Sequence, residues 1–218
     1  MASGSYVFDA YGTLFDVHAA VRRSSAALGP LGQRLSEVWR GKQLEYAWVR
    51  ALMGRYRDFW ALTEEALDHA IAVVAPDQAS MKPALLEAYR RLDAFPEVPS
   101  VLRRLKAKGA RVAILSNGSP DMLASAIASA GIGELIDSVV SVDPVRTYKT
   151  DARVYEAAVA ALGADRSSIL FLSSNRWDIA GAVACGLRAI WVNRTGQPDE
   201  YGDLKPFAVV SSLEGLDA

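Results

Sequence analysis

The chain opens on a short apolar run that ends in an acid, Ser5-Tyr6-Val7-Phe8-Asp9, which predicts a buried strand over 5–9. From Asp16 to about Leu92 the alternation typical of strands is missing. Ser36 reads as the cap of a helix whose apolar positions Val38, Trp39, Leu44 and Trp48 recur at three- and four-residue spacing. Asp58 reads as the start of a second helix, with Phe59, Leu62, Ala66, Leu67, Ile71 and Val74 on one face, and 81–92 predicts a third. Phe95-Pro96-Glu97-Val98-Pro99 punctuates the end of this block.

The second half has a different texture. Apolar runs at 111–116, 138–142, 169–173, 189–193 and 207–211 predict strands. Between them, 99–108, 120–130, 152–162 and 178–185 predict helices, each stopped by a glycine at 109, 131, 163 or 186. Strands alternating with helices, and apolar almost throughout, mean a parallel sheet covered on both faces. The expected fold is therefore α/β, a Rossmann-like parallel core with an inserted all-helical cap. Residues 1–15 and 96–218 would form the core and 16–95 the cap.

A chain of 218 residues buries enough surface, roughly 70%, to need no staples. Its 24 Lys+Arg against 25 Asp+Glu argue against nucleic acid or an anionic membrane as the main partner. One cysteine, Cys185, gives no internal disulfide and no multi-Cys zinc site, and two histidines, His18 and His69, give no poly-His metal cage. All three read as structural. No run reaches the ~20 apolar residues of a membrane helix, and the first residues lack a signal peptide's basic start. A cytoplasmic protein is expected.

In an open parallel sheet, ligands bind beyond the carboxyl ends of the strands. Those ends carry Asp9, then Ser116-Asn117-Gly118, then the approach to Lys149, then Ser173-Ser174-Asn175 with Asp178 beyond it. Each element alone reads as a turn or cap. Together they place acids, small hydroxyls, amides and a lysine on one edge.

Asp9-Ala10-Tyr11-Gly12-Thr13-Leu14, Ser116-Asn117-Gly118, Lys149 and Ser173-Ser174-Asn175-Arg176-Trp177-Asp178 resemble, in order, the four motifs of the haloacid dehalogenase superfamily. Trp39-Arg40, Lys42 to Tyr46, Phe59-Trp60 and Arg153-Val154-Tyr155 resemble segments of its L-2-haloacid dehalogenases. The resemblance implies Asp9 as nucleophile toward C2 of a small 2-haloacid, an aspartyl ester, and inversion to a D-2-hydroxyacid. It implies Lys149 paired with Asp9 and Asp178, Asp178 as base or water positioner, and Arg40 on the departing halide. Ser116 would hold the substrate carboxylate, with Asn117 beside the halide. Thr13, Ser173 and Asn175 would order Asp9, and Tyr155 would join their network. Tyr11, Leu44, Phe59 and Trp177 would form the apolar wall.

Phosphatases of this superfamily carry a second Asp where Tyr11 stands and a metal-binding Asp where Ser174 stands. A phenol of pKa ~10 protonates an alkoxide poorly, whereas halide leaves without a proton. Hard Mg²⁺ wants carboxylates. No metal and no cofactor are therefore expected. A phosphatase and a non-catalytic member of the superfamily stay open as alternatives. Two departures stand out: Gly41 where the dehalogenases typically have Gln, expected to thin the pocket wall, and Thr150 where a proline is common after the lysine. Relatives of this type often dimerise through cap helices, so Trp48, Leu52 and Tyr56 are candidates for a homodimer face.

Overall fold

A computed structural model describes residues 4–216. The strands β1 (Ser5–Phe8), β2 (Arg111–Ser116), β3 (Ser138–Ser141), β4 (Ile169–Ser173), β5 (Arg188–Val192) and β6 (Ala208–Val210) form one sheet. Its order is β3-β2-β1-β4-β5-β6, with every pair parallel. β1 is thus central, with Phe8 opposite Ile114 on one side and Leu172 on the other. Chain direction across the sheet reverses between β1 and β4, the position at which α/β sheets open a crevice.

Helices α1 (Ala19–Arg23), α2 (Ser25–Leu28), α3 (Leu31–Leu52), α4 (Phe59–Val74) and α5 (Lys82–Arg90) come between β1 and β2 and add no strand to the sheet. Helices α6 (Val98–Ala107), α7 (Pro120–Ser129), α8 (Ala152–Leu162) and α9 (Arg176–Ala184) alternate with the later strands. Buried residues on the sheet, including Val112–Leu115, Phe171 and Leu172, meet apolar faces such as Val101, Leu102 and Leu105 of α6. Among the described residues no helix is long and apolar enough to cross a membrane.

Asp58 caps α4, its carboxylate accepting the Ala61 N–H at 3.0 Å. Gly163 ends α8 in the left-handed region at φ 57°, where a side chain would be strained. Two expectations need correction. Ser36 is not a cap: it lies inside α3, buried, with its Oγ 2.7 Å from His18 Nδ1. Helix α9 begins at Arg176, two residues early, with Asn175 at its N-cap. Asp178 therefore sits in the first turn, where the helix dipole favours an anion.

Candidate functional site

Parallel pairing brings the ends of β1, β2 and β4 side by side, so their following residues meet. Asp9 is 5% exposed and receives four donors. Its Oδ2 accepts the Thr13 hydroxyl at 3.0 Å, Asn175 Nδ2 at 2.9 Å and, more weakly, the Ser173 hydroxyl at 3.4 Å. Its Oδ1 accepts Lys149 Nζ alone, at 2.9 Å. The same ammonium donates to Asp178 Oδ2 at 2.8 Å, and Tyr155 donates its hydroxyl to Asp178 Oδ1 at 2.7 Å.

Lys149 is 1% exposed and Asp178 fully buried. Burial by itself lowers a lysine pKa. Here the carboxylates of Asp178 and Asp9 outweigh it and raise Lys149 above its ordinary value. Burial pushes the Asp178 carboxyl up to about 6 against the attraction of Lys149, with Asp9 adding repulsion. Tyr155 is raised well above the ordinary phenol range, by burial and by Asp178 beside it, so it stays a donor. Tyr11 is likewise raised, chiefly by burial, which removes it as an acid at neutral pH.

Ser116 is fully buried and its hydroxyl accepts the Gly118 N–H at 3.1 Å. Asn117 Oδ1 accepts the Lys149 backbone N–H at 3.0 Å, which joins the loop after β2 to the lysine. Gly118 has no room for a side chain: an added Cβ would lie 2.8 Å from the Tyr11 ring.

Arg40 reaches the site from α3. Its Nη2 donates to the Tyr11 carbonyl at 3.3 Å and its Nη1 to Gln43 Oε1 at 2.8 Å. It lines a cleft of about 670 Å³ with Leu44, Asn175 and Trp177. Phe59 is buried 6.4 Å from the Tyr11 ring, centroid to centroid, and Trp177 meets Trp48 edge to face at 5.3 Å. Asp9, Thr13, Lys149, Tyr155, Ser173, Asn175 and Asp178 thus share one hydrogen-bonded network, Asn117 joins it through the Lys149 backbone, Tyr11 and Phe59 pack together, Arg40, Leu44 and Trp177 line the adjoining cleft, and the Ser116 hydroxyl bonds within its own turn. Gly41 departs from its expected place: it is exposed, and an added Cβ would meet nothing within 4 Å. It thins no packed wall.

Sequence reasoning missed the polar group that steadies Arg40. Gln43 is fully buried, and its Nε2 donates to Thr63 Oγ1 at 2.6 Å. Tyr89 lies 3.2 Å from the same amide and stacks on Tyr11 with centroids 5.8 Å apart. A signal was available: Thr63 interrupts the apolar face of α4 among Phe59, Leu62, Ala66 and Leu67.

A divalent cation does not fit this donor set. The Lys149 ammonium already bridges the two carboxylates, Ser174 offers a hydroxyl, and among the described residues no three His, Cys, Asp or Glu side chains converge.

Comparison with known proteins gives the family. The model of a family of hydrolases described as haloacid dehalogenase-like matches residues 5–186. An (S)-2-haloacid dehalogenase from Pseudomonas sp. (strain YL) is 48% identical over 210 residues, 96% of this chain and 90% of the relative. A crystal structure of a dehalogenase superposes with a TM-score of 0.95 at 42% identity, covering 98% of this chain and 95% of that one. L-2-haloacid dehalogenase from Xanthobacter autotrophicus, with chloropropionic acid covalently bound, superposes with a TM-score of 0.87 at 36% identity, covering 97% and 95%. With the family model matching residues 5–186 and identity of this extent over nearly its whole length, the chain belongs to the haloacid dehalogenase-like hydrolases, among the (S)-2-haloacid dehalogenases.

Proposed function

We propose that the chain hydrolyses short L-2-haloacids to D-2-hydroxyacids without a metal, through an ester on Asp9. The observation that carries this is the unequal treatment of the two Asp9 oxygens. Oδ1 holds one donor and keeps a lone pair free, while Oδ2 holds three. Oδ1 attacks C2 in line: the O–C2 bond forms, the carbon–halogen bond breaks, and halide leaves with the electron pair. Oδ2 becomes the ester carbonyl oxygen. Thr13, Asn175 and Ser173 then face the charge that develops on it when water adds to the carbonyl carbon. Asp178 takes one of the water's protons and returns it to the departing alkoxide as the acyl C–O bond breaks, and the re-formed Asp9 carboxyl releases the other proton to solvent to regain its charge. C2 is displaced once, so its configuration inverts.

Two anions meet in the first step, and unit charges 4 Å apart repel by about 1 kcal/mol even in water. Lys149 and Arg40 offset this. Ser116 and the adjoining backbone hold the substrate carboxylate, Arg40 and Asn117 take the halide, and Tyr11, Leu44, Phe59 and Trp177 exclude water. Helices α1–α5 act as the cap over the core. The same reading includes a homodimer formed through the apolar residues left exposed at the end of α3.

The test is halide release and product chirality with L- and D-2-chloropropionate in EDTA. The expected result is L-selective release giving D-lactate, lost in Asp9→Asn by at least about 10³-fold. A requirement for Mg²⁺, or hydrolysis of phosphate esters in place of haloacids, would overturn the reading.

A further inference from the structure

The chain crosses between the sheet and the helical segment twice, at Leu14–Asp16 and at Asp93–Glu97. These crossings lie together: the Phe95 N–H donates to the Leu14 carbonyl at 2.9 Å and the Asp16 N–H to the Asp93 carbonyl at 3.0 Å. One guanidinium, from Arg194 just beyond β5, touches both. Its Nη2 donates to the Thr13 carbonyl at 2.9 Å, its Nη1 pairs with Glu97, and its central carbon sits 3.9 Å from the Phe95 ring centroid. Both partners of the ion pair are largely shielded, with side chains 16% and 10% exposed.

What gives this contact chemical weight is the residue it holds. Thr13 is fully buried; its hydroxyl donates to Asp9 Oδ2 at 3.0 Å and accepts the Ser174 N–H at 2.8 Å. The path from Arg194 to the reacting carboxylate is therefore one residue long. We propose that Arg194 is a positioning residue, which locks the two crossings together and holds Thr13 in register with Asp9. The inference rests on Asp9 being the nucleophile, and adds that a group outside the motifs sets its aim. A planar cation suits the task, because it can donate in two directions while its face packs on a ring.

Removing Arg194 alone would strand the Glu97 carboxylate, so the test variant changes both, Arg194→Met with Glu97→Gln. The first readout needs no turnover: hydrogen exchange at the Ser174 and Phe95 amides. Both are expected to exchange at least about tenfold faster than in the parent, with β2 amides unchanged. The second readout is kinetic. A small misplacement of a reacting group costs up to about 10²-fold, so kcat is expected to fall about 10- to 100-fold with KM within threefold. In a Thr13→Ala background the same pair of changes is expected to cost less than threefold, and Arg194→Lys alone, which keeps the charge but loses the planar fork, is expected to recover kcat only in part. Unchanged exchange at Ser174 and Phe95 would overturn the inference. So would a lower melting temperature with kcat intact, or an equal kcat loss in both backgrounds. Absence of halide release from the parent would count against the proposed reaction only, and the exchange result would still decide the role of Arg194.

Discussion

Asp178 is held between opposing demands. Burial and Asp9 favour its protonated form, while Lys149 and the Tyr155 hydroxyl favour its charge, and the balance stands at about 6. In the proposed mechanism Asp178 is the base and must be ionised, so the sign follows: below that value it carries a proton and would leave the ester unhydrolysed. The kcat profile is expected to lose about tenfold per pH unit below an acid limb near 6, a property of the linked cluster of Asp9, Lys149 and Asp178. Tyr155→Phe removes a donor to the carboxylate and should move the limb upward by up to about one unit, worth about 1.4 kcal/mol. A limb that stays in place would remove Tyr155 from the network. At this scale the sequence was most legible where a strand hands its last residue to the sheet edge, as at Asp9, Ser116 and Ser173. It was opaque at Arg194, whose main partner is a backbone carbonyl 181 positions away. It was opaque at Tyr89 too, which reads as an ordinary apolar position of α5 until its hydroxyl meets Gln43.

Among elements, α3 shows best what local pattern can and cannot settle. Its 22 residues start at Leu31 after Pro30, with no side-chain cap hydrogen bond, so no cap residue announced its beginning. Ser36 has the chemistry of a cap, but sits mid-helix bonded to His18, and the apolar spacing from Val38 onward could not show that the helix had begun a turn and more earlier. Helix ends were easier, since Gly131 and Gly163 take positive φ of 63° and 57°, conformations that few other residues adopt cheaply. Gly41 follows from the same reasoning. It lies in the interior of α3, at negative φ, exposed, with open space where a Cβ would stand. Gly41→Ala should therefore stabilise the fold by about 1 kcal/mol and raise the melting temperature by about 2–4 °C. A decrease, measured calorimetrically, would mean that this turn of α3 needs its glycine.

For the whole molecule, the open question is what covers the end of α3. Val49, Leu52 and Met53 are 46%, 89% and 58% exposed, and their spacing sets them on one face of the helix. Trp48 and Tyr56, expected from the sequence on the same surface, are engaged within the chain. Trp48 packs on Trp177, and Tyr56 donates to Asp143 Oδ1 at 2.7 Å and lies against Tyr148. Sequence could not separate the two groups because both are apolar at helical spacing; only the fold decides which ones the core reaches. Leu52 is thus the residue on which the proposed dimer depends. Burying one leucine contributes about 1.5–3 kcal/mol, and a two-fold contact counts it once per copy. Leu52→Glu should then weaken association by about 10²- to 10⁴-fold, using 1.4 kcal/mol per tenfold. Sedimentation velocity on the parent and the variant decides it. A dimer that becomes a monomer places the interface on α3; a parent that sediments as a monomer at every concentration leaves this apolar face uncovered by a second copy and removes the dimer from the proposal.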